Sequence, residues 1–78
     1  MASFKVRVVN EDDKAIENAR VRLEFTGLTR GMSGEQHTDA DGIAHFDGYE
    51  EGPINIYLNG SNYGGSYYEN GEQVSVWV

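Results

Sequence analysis

The sequence predicts an all-β protein, an antiparallel sandwich of seven short strands. Three observations support this prediction. Apolar residues recur at every second position in most segments, which is the period of a strand with one buried face. Clusters of Gly, Asn, Asp and Pro punctuate these segments at short intervals, as turns between strands do. Finally, no segment shows a helical period of apolar residues over a useful length.

Most of the seven predicted strands show this alternation, whereas residues 35–39 are predicted as a short polar strand. The seven strands cover residues 4–9, 20–26, 35–39, 43–47, 53–58, 63–69 and 74–78. Pro53 begins the fifth of them, where its missing N–H costs least. Residues 27–34 form a predicted loop that contains Met32. Asn70-Gly71 predicts a two-residue hairpin, because both central positions of a type I′ turn need positive φ.

The predicted core consists of the apolar residues on one side of these strands. They are Phe4, Val6, Val8, Val21, Leu23, Phe25, Ala44, Phe46, Ile54, Ile56, Leu58, Val74, Val76 and Val78. Tyr67 and Tyr68 point to opposite faces of their strand by the same alternation, so we expect at least one of them in the core.

Composition limits the classes of function. A chain of 78 residues is expected to form a single domain, residues 1–78. The formal charge of −7 argues against nucleic acid and anionic membranes, because both are bound mainly through Lys and Arg. No run approaches the ~20 apolar residues of a membrane span. The absence of cysteine excludes disulfides and thiolate chemistry.

The turn and core motifs resemble a known family. Residues 8–21, VVNEDDKAIENARV, are similar to its opening strand, charged turn and Pro-hydrophobic-x-Gly-Ala-x-Val element. Residues 38–56, TDADGIAHFDGYEEGPINI, resemble its T-D-x-x-G core, and residues 71–76 its closing hairpin. From residue 4 to residue 78 the chain is thus similar to the carboxypeptidase regulatory-like domain, although Ala15 and Asn18 replace the usual Pro and Gly.

This resemblance implies both a fold and a role. The fold is an immunoglobulin-like sandwich of the transthyretin-like (prealbumin-like) group. The role is a non-catalytic accessory, interaction or spacer module of a larger secreted or cell-surface protein, mostly in bacteria, with neighbouring domains or another protein as partners. An extracellular, periplasmic or cell-surface location follows, with an intracellular one as the alternative. The same group includes a hydroxyisourate hydrolase, but its Tyr-Arg-Gly-Ser-like tail is replaced here by Val76-Trp77-Val78, so we expect no enzyme.

Outward-facing aromatic residues provide the candidate partner surface. Tyr57, Tyr63 and Trp77 lie in the C-terminal third, and alternation turns Tyr57 and Trp77 away from the core. Exposed aromatic rings anchor protein partners or stack on sugars. A carbohydrate-binding module is therefore the alternative function, and packing across strands is the purely structural explanation.

Acidic residues near two histidines provide a candidate metal site. Asp39 and Asp41 lie in a D-x-D-G sequence that resembles the start of a calcium loop, which would suit a calcium-stabilised adhesin-type domain. His37 and His45 flank the same turn and could supply zinc ligands. Asp and Gly also form tight turns without any metal. We therefore expect no cofactor, with calcium as the alternative.

Overall fold

A computed structural model describes residues 2–27 and 30–78. Eight strands form within these two ranges. They are β1 (Ala2–Val9), β2 (Arg20–Phe25), β3 (Gly31–Met32), β4 (Gln36–His37), β5 (Ile43–Tyr49), β6 (Gly52–Leu58), β7 (Ser61–Tyr68) and β8 (Glu72–Trp77). The protein is all-β, as the alternation predicted.

The strands form two sheets and no closed barrel. The three-stranded sheet has the order β5-β1-β8. The five-stranded sheet has the order β3-β2-β6-β7, with β4 also paired to β2. Both sheets contribute buried apolar side chains to one cluster, so they pack face to face in a sandwich-like arrangement.

The core confirms most of the predicted inward residues. The buried cluster contains Ala2, Phe4, Val6, Val8, Ala19, Val21, Leu23, Ala44, Phe46, Ile54, Ile56, Leu58, Tyr68 and Val76. Phe25 and Val74 are half-buried against it. The prediction is wrong for Val78, which follows the end of β8 and stays 42% exposed.

Tyr68 completes the core at one end of the fold. Its ring is fully buried and lies 5.1 Å from Phe4 and 5.6 Å from Phe25, measured between ring centroids. Its hydroxyl donates a hydrogen bond to the carbonyl oxygen of Ala2. Burial raises the pKa of this hydroxyl above its ordinary value of 10.0, because a phenolate would lose its hydration.

The prediction of a wholly antiparallel fold is wrong for the last strand. β8 pairs with β1 in parallel, in a register that runs from Phe4 opposite Glu72 to Val9 opposite Trp77. All the other pairings between strands are antiparallel. Because β1 is the middle strand of its sheet, it is held by β5 on one side and by β8 on the other.

The strand count is also wrong, because one edge of the five-stranded sheet is broken in two. Residues 31–32, predicted as loop, pair with the end of β2, while Gln36–His37 pair with its beginning. Buried Ser33 lies between them, and its hydroxyl accepts a hydrogen bond from the Leu23 N–H at 2.9 Å. A side-chain oxygen therefore replaces a ladder bond, which interrupts the strand.

The predicted hairpin at Asn70-Gly71 is wrong as well. This turn carries the chain from β7 in one sheet to β8 in the other, and only Gly71 has positive φ. The two-residue hairpin lies instead at Asn59-Gly60, between β6 and β7, where φ is 50° and 88°. Two positive φ values are what a type I′ turn requires.

Candidate functional site

Tyr57 is the predicted aromatic residue with the most defined surroundings. It is half-buried on β6, directly opposite Arg22 of β2. Its hydroxyl donates to Glu24 Oε1 at 3.4 Å, and the same oxygen accepts from Asn55 Nδ2 at 3.2 Å. The Glu24 carboxylate thus fixes both the tyrosine and the amide on the outer face of the five-stranded sheet.

A shallow cavity of about 300 Å³ adjoins this network. Arg20, Arg22 and Glu35 give it charged groups of both signs, and Tyr57 and Met32 give it apolar surface. Arg22 is itself held by a long hydrogen bond of 3.5 Å from its Nε to the Ser33 carbonyl oxygen. Donors, acceptors and an aromatic ring therefore meet in one place.

A larger groove of about 720 Å³ lies at one end of the fold. Three aromatic side chains line it, Phe25, Tyr49 and Tyr67, and Tyr67 is 53% exposed. Met32 lines both this groove and the smaller cavity, so the two adjoin at this residue, and we call them together the Met32 surface. The sequence prediction did not include Tyr67 in the site, although its alternation with Tyr68 already indicated that one of them faces outward.

The structure separates the three predicted aromatic residues. Tyr63 lies on β7, in the stretch where that strand shifts register against β6, and is 46% exposed. Trp77 is 60% exposed on β8, which belongs to the other sheet. Since the outer faces of two packed sheets point in opposite directions, Tyr57 and Trp77 do not share a surface.

The turn around Asp39 and Asp41 has a structural explanation. Asp39 Oδ1 accepts hydrogen bonds from the N–H groups of Asp41 at 2.9 Å and Ile43 at 3.0 Å. Asp39 Oδ2 lies 3.2 Å from His45 Nε2. The hydrogen bond from Ile43 is the main reason why the pKa of Asp39 is lowered from 3.8, with His45 and Asp41 also contributing. Asp39 therefore shapes the turn itself, as an Asx turn does.

The two histidines do not meet. His45 contacts Asp39, whereas His37 Nε2 lies 3.8 Å from Glu35 Oε1 on the exposed edge. Their strands belong to different sheets, because β4 pairs with β2 and β5 pairs with β1. Within residues 2–27 and 30–78, no group of three His, Asp or Glu side chains is close enough to hold a metal ion.

Comparison with known proteins supports the fold and leaves the family open. No family model matches the chain, and no curated protein matches it. A solved structure, the Bacillus anthracis TIE protein, is similar in fold with a TM-score of 0.69 and 13% sequence identity. The match covers 99% of this chain and 16% of the TIE chain. At this identity the likeness concerns the fold alone.

The parts of the chain that the structure describes contain no helix long and apolar enough to cross a membrane.

Proposed function

We propose that this chain is a non-catalytic module of a longer secreted or cell-surface protein, in which it spaces neighbouring domains or presents a binding surface to another protein. We also propose that the chain is a carboxypeptidase regulatory-like domain, which it resembles in its turn and core motifs. It would then belong to the transthyretin-like group of sandwiches. Neighbouring domains and a protein ligand are its expected partners.

One observation carries this proposal. Nearly the whole chain, 99%, is similar in fold to a segment that makes up only 16% of a much longer protein. A fold of this size therefore occurs as one unit within a longer chain. Short domains of this kind keep their own core and connect to neighbours through their termini.

The positions of the chain ends agree with a spacer. Because β1 and β8 run in parallel, the start of β1 and the end of β8 lie at opposite ends of the three-stranded sheet. The eight residues of β1 span about 26 Å at the rise of an extended strand, and the longest dimension of the molecule is 36 Å. A domain connected at both ends would hold its neighbours apart by about the length of β1, ~26 Å.

A fusion protein tests the spacer role. The chain is placed between two rigid reporter domains, and small-angle X-ray scattering measures the distance between the reporters. We expect the attachment points of the two reporters to be separated by the length of β1, about 26 Å, with a narrow distribution. The control joins the same reporters by a Gly/Ser linker, which gives a broad distribution. An equally broad distribution for the fusion would refute the proposal.

The Met32 surface favours a second candidate function, binding of a neutral carbohydrate. Tyr57 and Tyr67 supply aromatic faces on the outer side of the five-stranded sheet, and Arg22, Glu24 and Asn55 supply polar groups beside Tyr57. Sugars present hydroxyl groups around an apolar ring face, and this mixture of side chains is complementary to both.

A glycan array tests this second function. If the chain binds a glycan, Tyr57→Ala and Tyr67→Ala should weaken binding, while Trp77→Ala on the other sheet should leave it unchanged. The Trp77 variant is a matched control because it also removes an exposed aromatic ring. Binding that depends on Trp77 alone would place the site elsewhere, and absence of binding across the array would exclude this function for the glycans tested.

A further inference from the structure

We propose that the parallel pair formed by β1 and β8 makes this chain a load-bearing element, which resists being stretched between its two ends. The proposal gains its biological meaning from the spacer function above, but its mechanical basis lies in the fold alone. The argument depends on the direction in which force crosses the ladder between these two strands.

Force applied to the chain ends runs along the strand axes. β1 begins at Ala2, the first described residue, and β8 ends at Trp77, one residue before the last. Six residue pairs join them in parallel, from Phe4–Glu72 to Val9–Trp77. Tension pulls β1 back toward its beginning and β8 forward toward its end. The two strands must therefore slide past each other, so all the hydrogen bonds of the ladder bear the load together.

Both ends of the ladder have additional ties. At the beginning, the Gly71 N–H donates to the Ser3 carbonyl oxygen and Asn70 Oδ1 accepts from the Ser3 N–H, both at 2.9 Å. At the other end, the Val78 N–H donates to the Val9 carbonyl oxygen at 2.9 Å. These contacts tie the two strands together at the positions where the load enters and leaves.

Sliding would also disturb the hydrophobic core. β1 is the middle strand of its sheet and pairs with β5 on its other side. Its side chains Phe4, Val6 and Val8 are buried between the two sheets. Moving β1 along its axis would pull these side chains out of close-packed positions, which proteins resist strongly.

Force applied across the ladder acts differently. Glu72 is exposed and lies opposite Phe4, at the end of the fold where β1 begins. Pulling between the N-terminus and residue 72 would separate the two strands at that end and break the ladder one pair after another. The chain contains no cysteine, so Glu72→Cys provides a unique second attachment point.

Single-molecule force spectroscopy compares the two directions. The Glu72→Cys variant is pulled once through its N- and C-termini and once through its N-terminus and residue 72. We expect a severalfold higher rupture force between the termini, at the same pulling speed and in the same protein. Equal forces in the two directions, or a lower force between the termini, would overturn the proposal.

A pair of asparagine variants provides a second test. Asn70→Ala removes the acceptor for Ser3 N–H at the loaded end, whereas Asn62→Ala removes an acceptor for Gly64 N–H at 2.8 Å in β7, outside the ladder. We expect only Asn70→Ala to lower the rupture force between the termini. Equal reductions in both would show that overall stability, and not the ladder, sets the force. A failed reporter-spacing experiment would remove the spacer role but leave this mechanical difference in place.

Discussion

Gly42 is the glycine at which an added Cβ atom would meet the shortest contact. Its φ is 76°, it is buried, and its carbonyl oxygen accepts a hydrogen bond of 2.7 Å from the Val8 N–H. A Cβ atom added there would lie 2.6 Å from the Val8 carbonyl oxygen and 3.0 Å from Ala15 Cβ. Gly42→Ala should therefore meet both an unfavourable backbone conformation and a steric clash with β1.

Gly60 separates these two effects. Its φ is 88°, but an added Cβ would have no atom within 4 Å. Left-handed backbone costs a residue other than glycine about 1–2 kcal/mol, and crowding in a packed interior costs about 1–3 kcal/mol more. We expect Gly60→Ala to lose about 1–2 kcal/mol of unfolding free energy and Gly42→Ala about 2–5 kcal/mol.

Urea denaturation followed by far-ultraviolet circular dichroism measures this difference. A domain of 78 residues has a total stability of about 4–12 kcal/mol, so the loss in Gly42→Ala is a large fraction of it, while Gly60→Ala should remain folded with an unchanged dependence on urea. Loss of stability in Gly60→Ala equal to that in Gly42→Ala would refute the explanation, since Gly60 meets no steric clash.

Three further predictions concern the core and the pH dependence of stability. Leu23→Ala should cost about 2–5 kcal/mol, because this side chain is fully buried; a loss below 1 kcal/mol in urea denaturation would contradict the assigned core. The raised pKa of Tyr68 means that the unfolded chain loses this proton first, so stability should fall as pH rises above about 10. Tyr68→Phe should be less stable near pH 7 because the Ala2 carbonyl loses its partner, yet show a shallower alkaline decline; an unchanged decline would exclude Tyr68 as its cause. The pKa of Asp39 is lowered in the folded protein, so its carboxylate stabilises the fold above pH 3.8, and this contribution should be lost as pH falls through the pKa of the folded state. Asp39→Asn should therefore make stability depend less on pH in the acid range. Thermal melts between pH 2 and pH 5 measure this dependence, and an unchanged dependence in the variant would contradict the prediction.

The sequence predicted what depends on local periodicity and missed what depends on distant pairing. Leu23 and Ile56 were predicted to be buried because a period of two assigns a face within each strand. The two Asn-Gly turns contain the same residues, and only the surrounding sheet makes one a hairpin and the other a crossing between sheets. Glycine at positive φ serves either type of turn, so the turn residues alone cannot distinguish them.

The candidate site shows the same limit. Alternation correctly turned Tyr57 away from the core, but the Glu24 carboxylate that orients it comes from a strand 33 positions away in sequence. Trp77 was predicted to be exposed and is exposed, yet alternation gives no information about which sheet contains its strand. Only the pairing of β8 with β1 places Trp77 on the opposite side of the molecule from Tyr57.

The pairing of the first strand with the last also sets the order in which the protein can fold. Asn70 and Ser3, which contact each other beside this pair, are 67 positions apart, and closing such a long loop costs more entropy than closing a hairpin. During synthesis β1 leaves the ribosome before β8, so one edge of β1 has no partner until β8 follows. We therefore expect slow folding, as for other proteins rich in distant contacts, and a nascent chain that exposes the free edge of β1 to aggregation until β8 has been synthesised.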